Sequence, residues 1–350
     1  MNAEFWNNKK VFITGHSGFK GKWLVHWLLK NQAIVFGFSD TLFTDTKFGE
    51  SFSSIQGDIR DFDLLKEKID SFQPDVIFHL AAQPLVRESY AHPRESFNVN
   101  VMGTVNILEI SRELNYHHVT IIITSDKCYQ NDELGMPFNE LDPLMGKDPY
   151  SNSKSCAELV TYSYLHSFFN DLKLPLATVR AGNVIGGGDS SDDRIIPDFF
   201  RALENKTPLV LRYPQAIRPW QFVLEPLNGY LMLAEKIYED MSFSGSWNFG
   251  PPSENEVTVH ELVFELNKKF NNTVDIQIDA SCSQGMAEST YLKLDCEKSI
   301  NLLKWKPFLN IEQTLDLIAK WYELEKDEEK SLQETYRQID YFENSISAEN

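Results

Sequence analysis

The chain has 350 residues, and its 51 acidic against 33 basic residues give a formal net charge of -18 at pH 7. Nucleic acids and anionic membranes bind basic faces that neutralise phosphate, so this charge argues against both kinds of partner. The four cysteines, at positions 128, 156, 282 and 296, have neither metal-ligand nor disulfide spacing. The first ten residues contain no apolar signal segment, and no later run has the length of a membrane span. We expect a cytoplasmic protein without a bound metal.

A dinucleotide-binding turn is predicted near the start of the chain. The β-rich run 10–14 is followed by the sequence GHSGFKG and then by an apolar helical pattern. Gly15 permits a tight turn, Gly18 lets backbone approach a pyrophosphate, and Gly21 lets the helix pack closely on the strand. The pyrophosphate would lie at the helix N-terminus, beside Phe19. This position between a strand and a helix favours cofactor binding over a plain glycine-rich turn.

The second predicted strand, 34–38, indicates which dinucleotide is bound. A strand at this place ends near the adenosine ribose, where an acidic residue usually binds the 2'-hydroxyl. Here Ser39 occupies that place and Asp40 follows it. Because no arginine stands there to bind a 2'-phosphate, we predict NAD as the cofactor.

Strands and helices continue to alternate up to residue 114. Strands are predicted at 54–58 and 75–80, and helices at 61–72 and 93–114. An acidic residue here could bind the adenine amino group, and small residues could let the cofactor lie against the backbone. Ordinary loop packing explains these residue types equally well. The cofactor-binding candidates in this part of the chain are Asp58, Ile59, Leu80, Ala81, Ala82 and Asn100.

Three polar residues follow the next predicted strand, 119–123, whose β-branched sequence is typical of a buried strand. They are Ser125, Asp126 and Lys127. Open α/β sheets bind ligands at the carboxyl ends of their strands, so these side chains are candidate catalytic groups. A surface ion pair of Asp126 with Lys127 is the simpler alternative.

Tyr150 and Lys154 form a second candidate catalytic group. They are four residues apart on a predicted helix, 149–172, so they share one face. A lysine ammonium close to a phenol favours the phenolate, so we expect Lys154 to lower the pKa of Tyr150 and make it a base. Such pairs are common by chance, and this one gains meaning only from the dinucleotide site upstream.

Six predicted strands, the last at 176–180, alternate with helices and predict a doubly wound parallel sheet of the Rossmann type in an α/β fold. A glycine-rich stretch at 181–189 then leads into shorter elements, which we assign to a smaller C-terminal substrate-binding lobe. The predicted division is an NAD-binding domain at 1–180, a lobe at 181–322 from which some segments can return to the first domain, and a solvated, fraying terminal helix at 323–350. His79 and His166 lie on apolar stretches and are predicted to be core histidines.

Taken together, the motifs resemble the extended short-chain dehydrogenase/reductases, and within them the nucleotide-sugar 4,6-dehydratases, over residues 10–310. The branch that acts on CDP-glucose resembles this chain most. The resemblance rests on GHSGFKG (15–21), AAQPLVR (81–87), TSDKCY (124–129), PYSNSK (149–154), RAGNVIGGGD (180–189) and RPWQ (218–221). Each segment is weak alone, and their order along the chain makes the resemblance strong.

The resemblance implies a bound NAD that is reduced and reoxidised within one turnover, which converts a nucleotide hexose to its 4-keto-6-deoxy form. Tyr150, assisted by Lys154 and a hydroxyl of Ser125 or Thr124, is implied to take the proton of the sugar 4-OH while hydride leaves C4. Asp126 is implied to protonate the departing 6-OH, which requires a raised pKa. Hydride then returns to C6.

Lys127 departs from the wider family, which carries glutamate there as the base for the C5 proton, whereas the CDP-glucose branch resembles this chain in having lysine. Lys127 would have to be neutral to act as that base. It could instead stay charged and stabilise the enolate while another group removes the proton. The sequence leaves both roles open.

The substrate-binding candidates are Gln83, Arg87, Asn183, Arg194, Arg212 and Arg218. The planar fork of arginine matches phosphate oxygens, and Asn183, Arg194 and Arg218 are our candidates for the substrate diphosphate. A surface or interdomain ion pair is the alternative for each arginine. Two residues near the predicted lobe, Lys147 and Phe222, depart from the pattern of the CDP-glucose branch.

Two other functions remain open at this level. An epimerase or reductase acting on a nucleotide sugar would share the fold, but such relatives lack an acid pair after the active-site hydroxyl, so Asp126-Lys127 favours dehydration. A protein that binds NAD without turnover belongs to another class. The resemblance also implies a homodimer or homotetramer, formed through helices 93–115 and 149–172, and a role in deoxysugar biosynthesis such as that of lipopolysaccharide O-antigen.

Overall fold

The computed structural model describes residues 1–41, 49–133, 135–279 and 291–349, so Cys282 lies outside the described residues. The strands are β1 Lys10–Thr14, β2 Ile34–Ser39, β3 Phe52–Gln56, β4 Val76–His79, β5 Val119–Ile123, β6 Leu176–Arg180, β7 Val184–Ile185, β8 Leu209–Leu211, β9 Ile217–Pro219, β10 Gln221–Phe222, β11 Gly245–Asn248, β12 Glu256–Thr258 and β13 Ile276–Ile278. The α-helices are α1 Ala3–Trp6, α2 Phe19–Lys30, α3 Phe62–Phe72, α4 Val86–Ala91, α5 Pro93–Phe97, α6 Gly103–Glu113, α7 Pro149–Tyr164, α8 Asn170–Leu172, α9 Ile195–Asn205, α10 Leu224–Glu239, α11 Val259–Lys269, α12 Ile311–Leu324 and α13 Glu328–Glu349.

Seven parallel strands form the central sheet, in the order β11-β6-β5-β4-β1-β2-β3. Because β1 lies between β2 and β4, the chain winds away from β1 in opposite directions on its two sides. Such a switch point opens a crevice at the carboxyl ends of the strands, where α/β sheets bind ligands. The predicted doubly wound fold is confirmed.

The six predicted strands all form, and a seventh strand, β11, was not predicted. It comes from the C-terminal part of the chain and pairs in parallel with β6, with Trp247 opposite Val179. Both residues are almost fully buried, so distant apolar contacts hold this strand in place. The predicted domain boundaries, and the return of some segments to the first domain, stay a prediction.

Helices cover both faces of the sheet. Trp27 of α2 and Tyr230 of α10 belong to the buried cluster on one face, and Phe12 and Ile107 belong to the cluster on the other. Burial on both sides explains why the strands are continuous apolar runs. The predicted helix 93–114 forms as α5 and α6, joined by a π-helical turn at Asn98–Met102.

The turn between β1 and α2 depends on two glycines. Gly15 has a φ of 71°, which favours glycine, and a Cβ there would lie 2.6 Å from the backbone nitrogen of Ala81. A Cβ on Gly21 would lie 2.2 Å from the carbonyl oxygen of Gly15. The turn after β1 therefore packs directly on the turn after β4 and on the first turn of α2.

The terminal helix α13 is docked on α2, and the expectation of a solvated, fraying helix is wrong for its inner face. Ile339 and Phe342 are fully buried, and the indole of Trp27 donates a 2.7 Å hydrogen bond to Glu343. Lys30 of α2 forms a 2.9 Å ion pair with Asp340. The many charged residues of this segment belong to the outer face of the helix. Its apolar residues recur at helical spacing and form the inner face, which a count of residue types does not reveal.

Small two-stranded sheets lie beyond β6: β7 pairs with β10, β9 with β12, and β8 with β13.

His79 is buried and hydrogen-bonded to Thr14 at 2.7 Å, as predicted for a core histidine. His166 is exposed, and its prediction was wrong because the π-helical turn Leu165–Phe169 turns only its first and last residues inward. No helix in the described ranges has the length and hydropathy needed to cross a membrane.

Candidate active site

A cavity of about 330 Å³ opens at the carboxyl edge of the sheet, between the loops after β1, β5 and β6 and the C-terminal elements. The predicted catalytic and substrate-binding residues that line it are Arg87, Ser125, Asp126, Lys127, Tyr150, Asn183, Arg194, Arg212 and Arg218. Phe19 and Lys20 line it from the first turn of α2. Residues that lie far apart in the sequence thus meet at the predicted ligand-binding edge.

Asp126 lines this cavity and begins a single 3₁₀ turn shortly after the end of β5. The Ser125 hydroxyl donates to Asp126 at 3.0 Å and accepts from the backbone nitrogen of Lys127 at 3.2 Å. Asp126 is only 3% exposed, and burial raises its pKa against the opposing effects of Lys127 and the Ser125 hydrogen bond. A carboxyl group in this environment can hold a proton and donate it, as a general acid must.

The loop after β6 fits closely around Asp126. A Cβ added to Gly182 would lie 1.7 Å from the Oδ2 atom of Asp126, which is far inside van der Waals contact. The lack of a side chain at Gly182 therefore leaves room for the Asp126 carboxyl group. Only the surrounding fold reveals this requirement, because Gly182 and Asp126 are distant in the sequence.

Replacing Gly182 with alanine is expected to displace Asp126 and lower kcat by about 100-fold, since small misplacements of catalytic groups cost that much. Steady-state kinetics on protein shown to be folded by circular dichroism would measure the loss. If the effect acts through Asp126, the same alanine should cost little in a protein that already carries Asp126→Asn. Equal losses in both backgrounds would contradict this explanation.

Tyr150 and Lys154 project from the first turns of α7, as predicted. Pro149 starts the helix, and the Asp148 side chain caps it by accepting from the backbone nitrogen of Ser151 at 2.9 Å. Lys154 is buried and its ammonium donates to the carbonyl oxygen of Ile123 at 3.2 Å. The helix thus fixes both side chains at the end of β5.

The predicted lowering of the Tyr150 pKa is wrong for this structure. Burial raises the pKa of Tyr150 to about 12, although a hydrogen bond with Ser125 opposes the shift. Lys154 does not reverse this effect, because burial also lowers its own pKa to about 8 and its ammonium is directed to Ile123. The phenol needs a further positive charge nearby before it can act as a base.

Lys20 is a cavity residue that the sequence analysis missed. It lies in the first turn of α2, and its ammonium is 5.9 Å from the ring centroid of Tyr230. Its pKa is lowered to about 7, mainly by burial and also by the charges of Lys154 and Arg194, while the charge of Asp126 opposes the shift. The lysine inside GHSGFKG was the available signal, but a lysine side chain usually points to solvent.

The crevice at the start of α2 suits a dinucleotide pyrophosphate. Gly18 is the N-cap of α2 and has no side chain to cap the first backbone N–H groups, which leaves them directed toward the crevice. A Cβ on Gly18 would meet only the Gly15 carbonyl oxygen, at 3.4 Å, so the space in front of it is open. The backbone nitrogen of Ala81 donates to Thr14 at 3.2 Å, which holds the opposite wall.

The remaining cofactor candidates form the surroundings of this crevice. Ser39 at the end of β2 is buried and hydrogen-bonded to Ser17 at 2.6 Å. Asp58 accepts from the Arg60 guanidinium at 2.9 Å, and Ile59 packs where a Cβ of Gly103 would lie. Leu80 and Ala82 lie in the loop after β4, beside Ala81.

Asn100 and Gln83 tie that loop to the helices. The Asn100 side chain accepts from the backbone nitrogen of Gln83 at 2.8 Å and donates to Ser153 of α7 at 2.8 Å. The Gln83 side chain donates to Ser96 at 3.0 Å. Gln83 is not among the residues that line the cavity. Its hydrogen bonds connect the loop after β4 to the neighbouring helices.

Ion pairs within the described residues hold Arg87, Arg194 and Arg212. Arg87 and Arg212 contact Asp193 at 3.0 and 3.2 Å, and Arg194 contacts Asp189 at 2.9 Å. Arg218 donates to the carbonyl oxygen of Ile217 at 3.0 Å. The ion-pair alternative is therefore realised for Arg87, Arg194 and Arg212, which line the same cavity.

Lys147 and Phe222, the two residues that depart from the pattern of the resembling branch, are not among the residues that line the cavity with Asp126. Phe222 is fully buried and packs edge-on against Trp23, with 5.8 Å between ring centroids. The Lys147 side chain is 68% exposed and lies 3.8 Å from Asp132. Phe222 is a core residue in this chain, and Lys147 is a surface residue.

A buried ion pair lies next to the end of β5. The Glu158 carboxylate accepts from the Arg180 guanidinium at 2.7 Å, and both side chains are at most 2% exposed. Glu158 also accepts from the hydroxyls of Thr124 and Thr178. Burial raises the pKa of Glu158, but the charge of Arg180 and these hydrogen bonds outweigh it and keep the net pKa low. The pair links α7, β5 and β6, and the sequence analysis did not identify it.

Replacing Glu158 with alanine should lower the free energy of unfolding by about 3–5 kcal/mol, because it leaves the Arg180 charge buried without a partner. Urea unfolding followed by circular dichroism would measure the change. The matched control is Glu67→Ala on α3, since the side chain of Glu67 is 67% exposed and pairs with the neighbouring Lys68. A loss for Glu158→Ala no larger than that for the control would contradict the expectation.

Comparisons with known proteins agree with this geometry. Residues 12–318 match the family described as GDP-mannose 4,6 dehydratase. The chain is similar to CDP-glucose 4,6-dehydratase of Salmonella typhimurium, with 44% identity over 334 residues that cover 92% of each chain.

Two solved structures show the same fold. One is an epimerase from Methanothermobacter thermautotrophicus, with a TM-score of 0.81, 24% identity, and 94% of this chain and 96% of that chain covered. The other is dTDP-glucose 4,6-dehydratase from Bacillus anthracis in complex with NAD, with a TM-score of 0.73, 23% identity, and 93% and 99% covered. The family match spans most of the chain, and the Salmonella relative covers nearly all of it. The chain therefore belongs to the GDP-mannose 4,6 dehydratase family, within the extended short-chain dehydrogenase/reductases.

Proposed function

We propose that the protein is an NAD-dependent hydro-lyase that converts CDP-D-glucose to CDP-4-dehydro-6-deoxy-D-glucose and water. The observation that carries this proposal is Asp126, a buried carboxyl group with a raised pKa in the same cavity as Tyr150. Dehydration needs an acid at the sugar 6-OH, whereas epimerisation at C4 does not. The 44% identity to a CDP-glucose 4,6-dehydratase supports the choice of nucleotide sugar.

The residues around the start of α2 would hold the NAD. Gly15, Gly18 and the backbone of Phe19 border an open crevice at a helix N-terminus, where a pyrophosphate is stabilised. NAD bound there supplies a reversible acceptor for hydride and a positive charge that favours the Tyr150 phenolate. Ser39 in the ribose position, with no arginine beside it, supports NAD over its 2'-phosphorylated form.

Tyr150 acts as the base for the sugar 4-OH in this proposal. Its hydrogen bond with Ser125 orients the phenol, and Lys154 at the next turn of α7 contributes positive charge once the phenol ionises. Loss of the 4-OH proton prepares C4 for oxidation to a ketone. The ketone then acidifies the proton on C5.

Asp126 delivers the proton that leaves with the 6-OH as water. Its burial at the end of β5 raises its pKa, which favours the protonated form, and the close fit of Gly182 holds the carboxyl group in place. Lys127 lines the cavity next to it, where it can either take the C5 proton as a neutral amine or stabilise the enolate as an ammonium. Both roles place Lys127 at C5.

We also infer a cytoplasmic homo-oligomer, a homodimer or homotetramer, that acts in deoxysugar biosynthesis, which includes O-antigen assembly. Large apolar side chains are exposed along α7 and its continuation, among them Leu159, Tyr162 and Phe168. Large apolar side chains that are exposed on a helix are typical of a subunit interface. Multi-angle light scattering would measure the assembly directly.

The test of the function is mass spectrometry of reactions with CDP-, dTDP-, GDP- and UDP-glucose, each supplied with NAD. We expect CDP-glucose alone to lose one water, with no net formation of NADH. The Asp126→Asn protein is the control that ties the product to the acid. No mass change for any substrate, or one accompanied by stoichiometric NADH, would contradict the proposal, and conversion without loss of mass would indicate an epimerase.

A further inference from the structure

Asp193 bridges two arginines across the mouth of the cavity. Its Oδ1 atom lies 3.0 Å from the Arg87 guanidinium on α4 and 3.2 Å from the Arg212 guanidinium, which directly follows β8. Arg87, Asp193 and Arg212 all line the cavity that contains Asp126. One carboxylate oxygen therefore joins the first domain to the C-terminal elements at the entrance to the site.

The loop that carries Asp193 is anchored on either side of it. Asp193 has a φ of 58°, in the left-handed region that Asp and Asn adopt more readily than most residues. Its neighbour Arg194 pairs with Asp189 at 2.9 Å, and the Asp189 side chain is only 5% exposed. The backbone thus holds the Asp193 carboxylate between the two arginines.

The contacts of Asp193 can be exchanged for those of a ligand. The side chain of Asp193 is 40% exposed, and those of Arg87 and Arg212 are 45% and 27% exposed. Ion pairs that water reaches contribute about 0–1 kcal/mol each, so they hold the closed arrangement only weakly. An incoming anion of higher charge can replace the carboxylate.

A diphosphate is the anion that suits this exchange. Among the residues that the structure describes, these two guanidinium groups share one carboxylate oxygen of Asp193 as their charged acceptor, although each guanidinium has five N–H donors. A diphosphate has more charge and several oxygens on two phosphorus centres, and arginine forks bind such oxygens in pairs. A nucleoside or a free sugar offers neither charge nor these oxygens.

We propose that Asp193 is an internal counter-anion that occupies Arg87 and Arg212 until a ligand diphosphate displaces it, so that an uncharged nucleoside leaves the arginine bridge closed. The natural ligand in this inference, a nucleoside diphosphate sugar, rests on the proposed function. The exchange itself rests only on the two arginines and the carboxylate. Displacement also releases the ion-paired link between α4 and β8, so binding is coupled to opening of the cavity mouth.

Isothermal titration calorimetry with inorganic pyrophosphate, CDP and cytidine tests the proposal, on the wild type and Asp193→Asn at one fixed ionic strength. Asparagine retains the left-handed backbone and the side-chain size but removes the competing charge. We expect pyrophosphate and CDP to bind about three- to tenfold more tightly to the variant, as loss of one or two exposed ion pairs predicts. Cytidine affinity should not change.

Asp192→Asn is the matched control, since Asp192 lies in the same loop, its side chain is 86% exposed, and it pairs at 3.6 Å with Arg201 outside the bridge. It should leave all three affinities unchanged. Asp193→Gly, which also accepts a positive φ, serves as a second variant if Asp193→Asn is unstable. Pyrophosphate affinity that is unchanged or weaker without the carboxylate would overturn the proposal, because Asp193 would then orient the arginines or play no part.

The two hypotheses fail in different ways. If pyrophosphate binding tightens in Asp193→Asn but CDP-glucose is not dehydrated, the counter-anion stands and the proposed function is wrong. If CDP-glucose is dehydrated but pyrophosphate affinity does not rise, the function stands and the counter-anion is wrong. The pyrophosphate titration needs no turnover, so the difference in affinity between the wild type and Asp193→Asn reports on the arginine bridge independently of the proposed function.

Discussion

Asparagine in place of Asp126 should reduce release of water from the nucleotide sugar by about 10²–10⁴-fold, the range that a general acid contributes. Asparagine has nearly the same size as aspartate, so the close contact with Gly182 is retained while the transferable proton is lost. Initial rates of product formation, followed by mass spectrometry, would measure the effect. The acid also predicts a pH dependence: since Asp126 acts protonated and burial raises its pKa, the wild-type rate should fall as pH rises through that pKa.

The control for this variant is Asp171→Asn, because Asp171 is an exposed residue of α8 that lies outside the cavity lining. Its rate should equal that of the wild type. A rate for Asp126→Asn within tenfold of the wild type would show that Asp126 is not the acid. The loss of the high-pH decline in a variant that retains some activity would support the assignment independently.

Phenylalanine in place of Tyr150 should reduce kcat by about 10²–10⁴-fold, because the ring remains in its buried place without the group that takes the 4-OH proton. The wild-type rate should rise with pH where the phenol ionises, since burial raises the pKa of Tyr150 to about 12 in the protein alone and bound cofactor lowers it from there. Steady-state kinetics with CDP-glucose would measure both. Opposing requirements of Tyr150 and Asp126 predict a bell-shaped profile.

Tyr162→Phe provides the comparison, since Tyr162 lies on the same helix with its side chain exposed and away from the cavity. Removing that hydroxyl should leave kcat unchanged. If Tyr150→Phe keeps more than a tenth of the wild-type rate, another group takes the proton. Retention of cofactor by the variant would distinguish a chemical defect from a binding defect.

The local parts of the site could be predicted from the sequence. Gly15 and Gly21 follow a strand at fixed spacing, and the structure shows that a Cβ at either would collide with backbone. Tyr150 and Lys154 share a helical face because four residues make about one turn. Asp126 follows a buried strand, so the parallel sheet places it at the ligand-binding edge. These features depend on short-range geometry.

The parts that could not be predicted depend on contacts between distant segments. The pairing of β11 with β6, the docking of α13 on α2 and the Glu158–Arg180 ion pair each join residues that no local pattern relates. The same holds for the Asp193 bridge, whose partners lie on α4 and after β8. The pKa of Tyr150 was predicted in the wrong direction because burial, which the sequence does not quantify, outweighs the neighbouring lysine.

The most direct test of the account is a reaction with CDP-glucose that carries deuterium at C4, with the label then located in the product by NMR. Intramolecular oxidation, dehydration and reduction predict a product that has lost water and carries the deuterium at C6. A product that keeps deuterium at C4, or that loses it to solvent, would contradict the proposed 4,6-dehydration. The outcome depends on the chemistry at the cavity and not on how tightly the substrate binds.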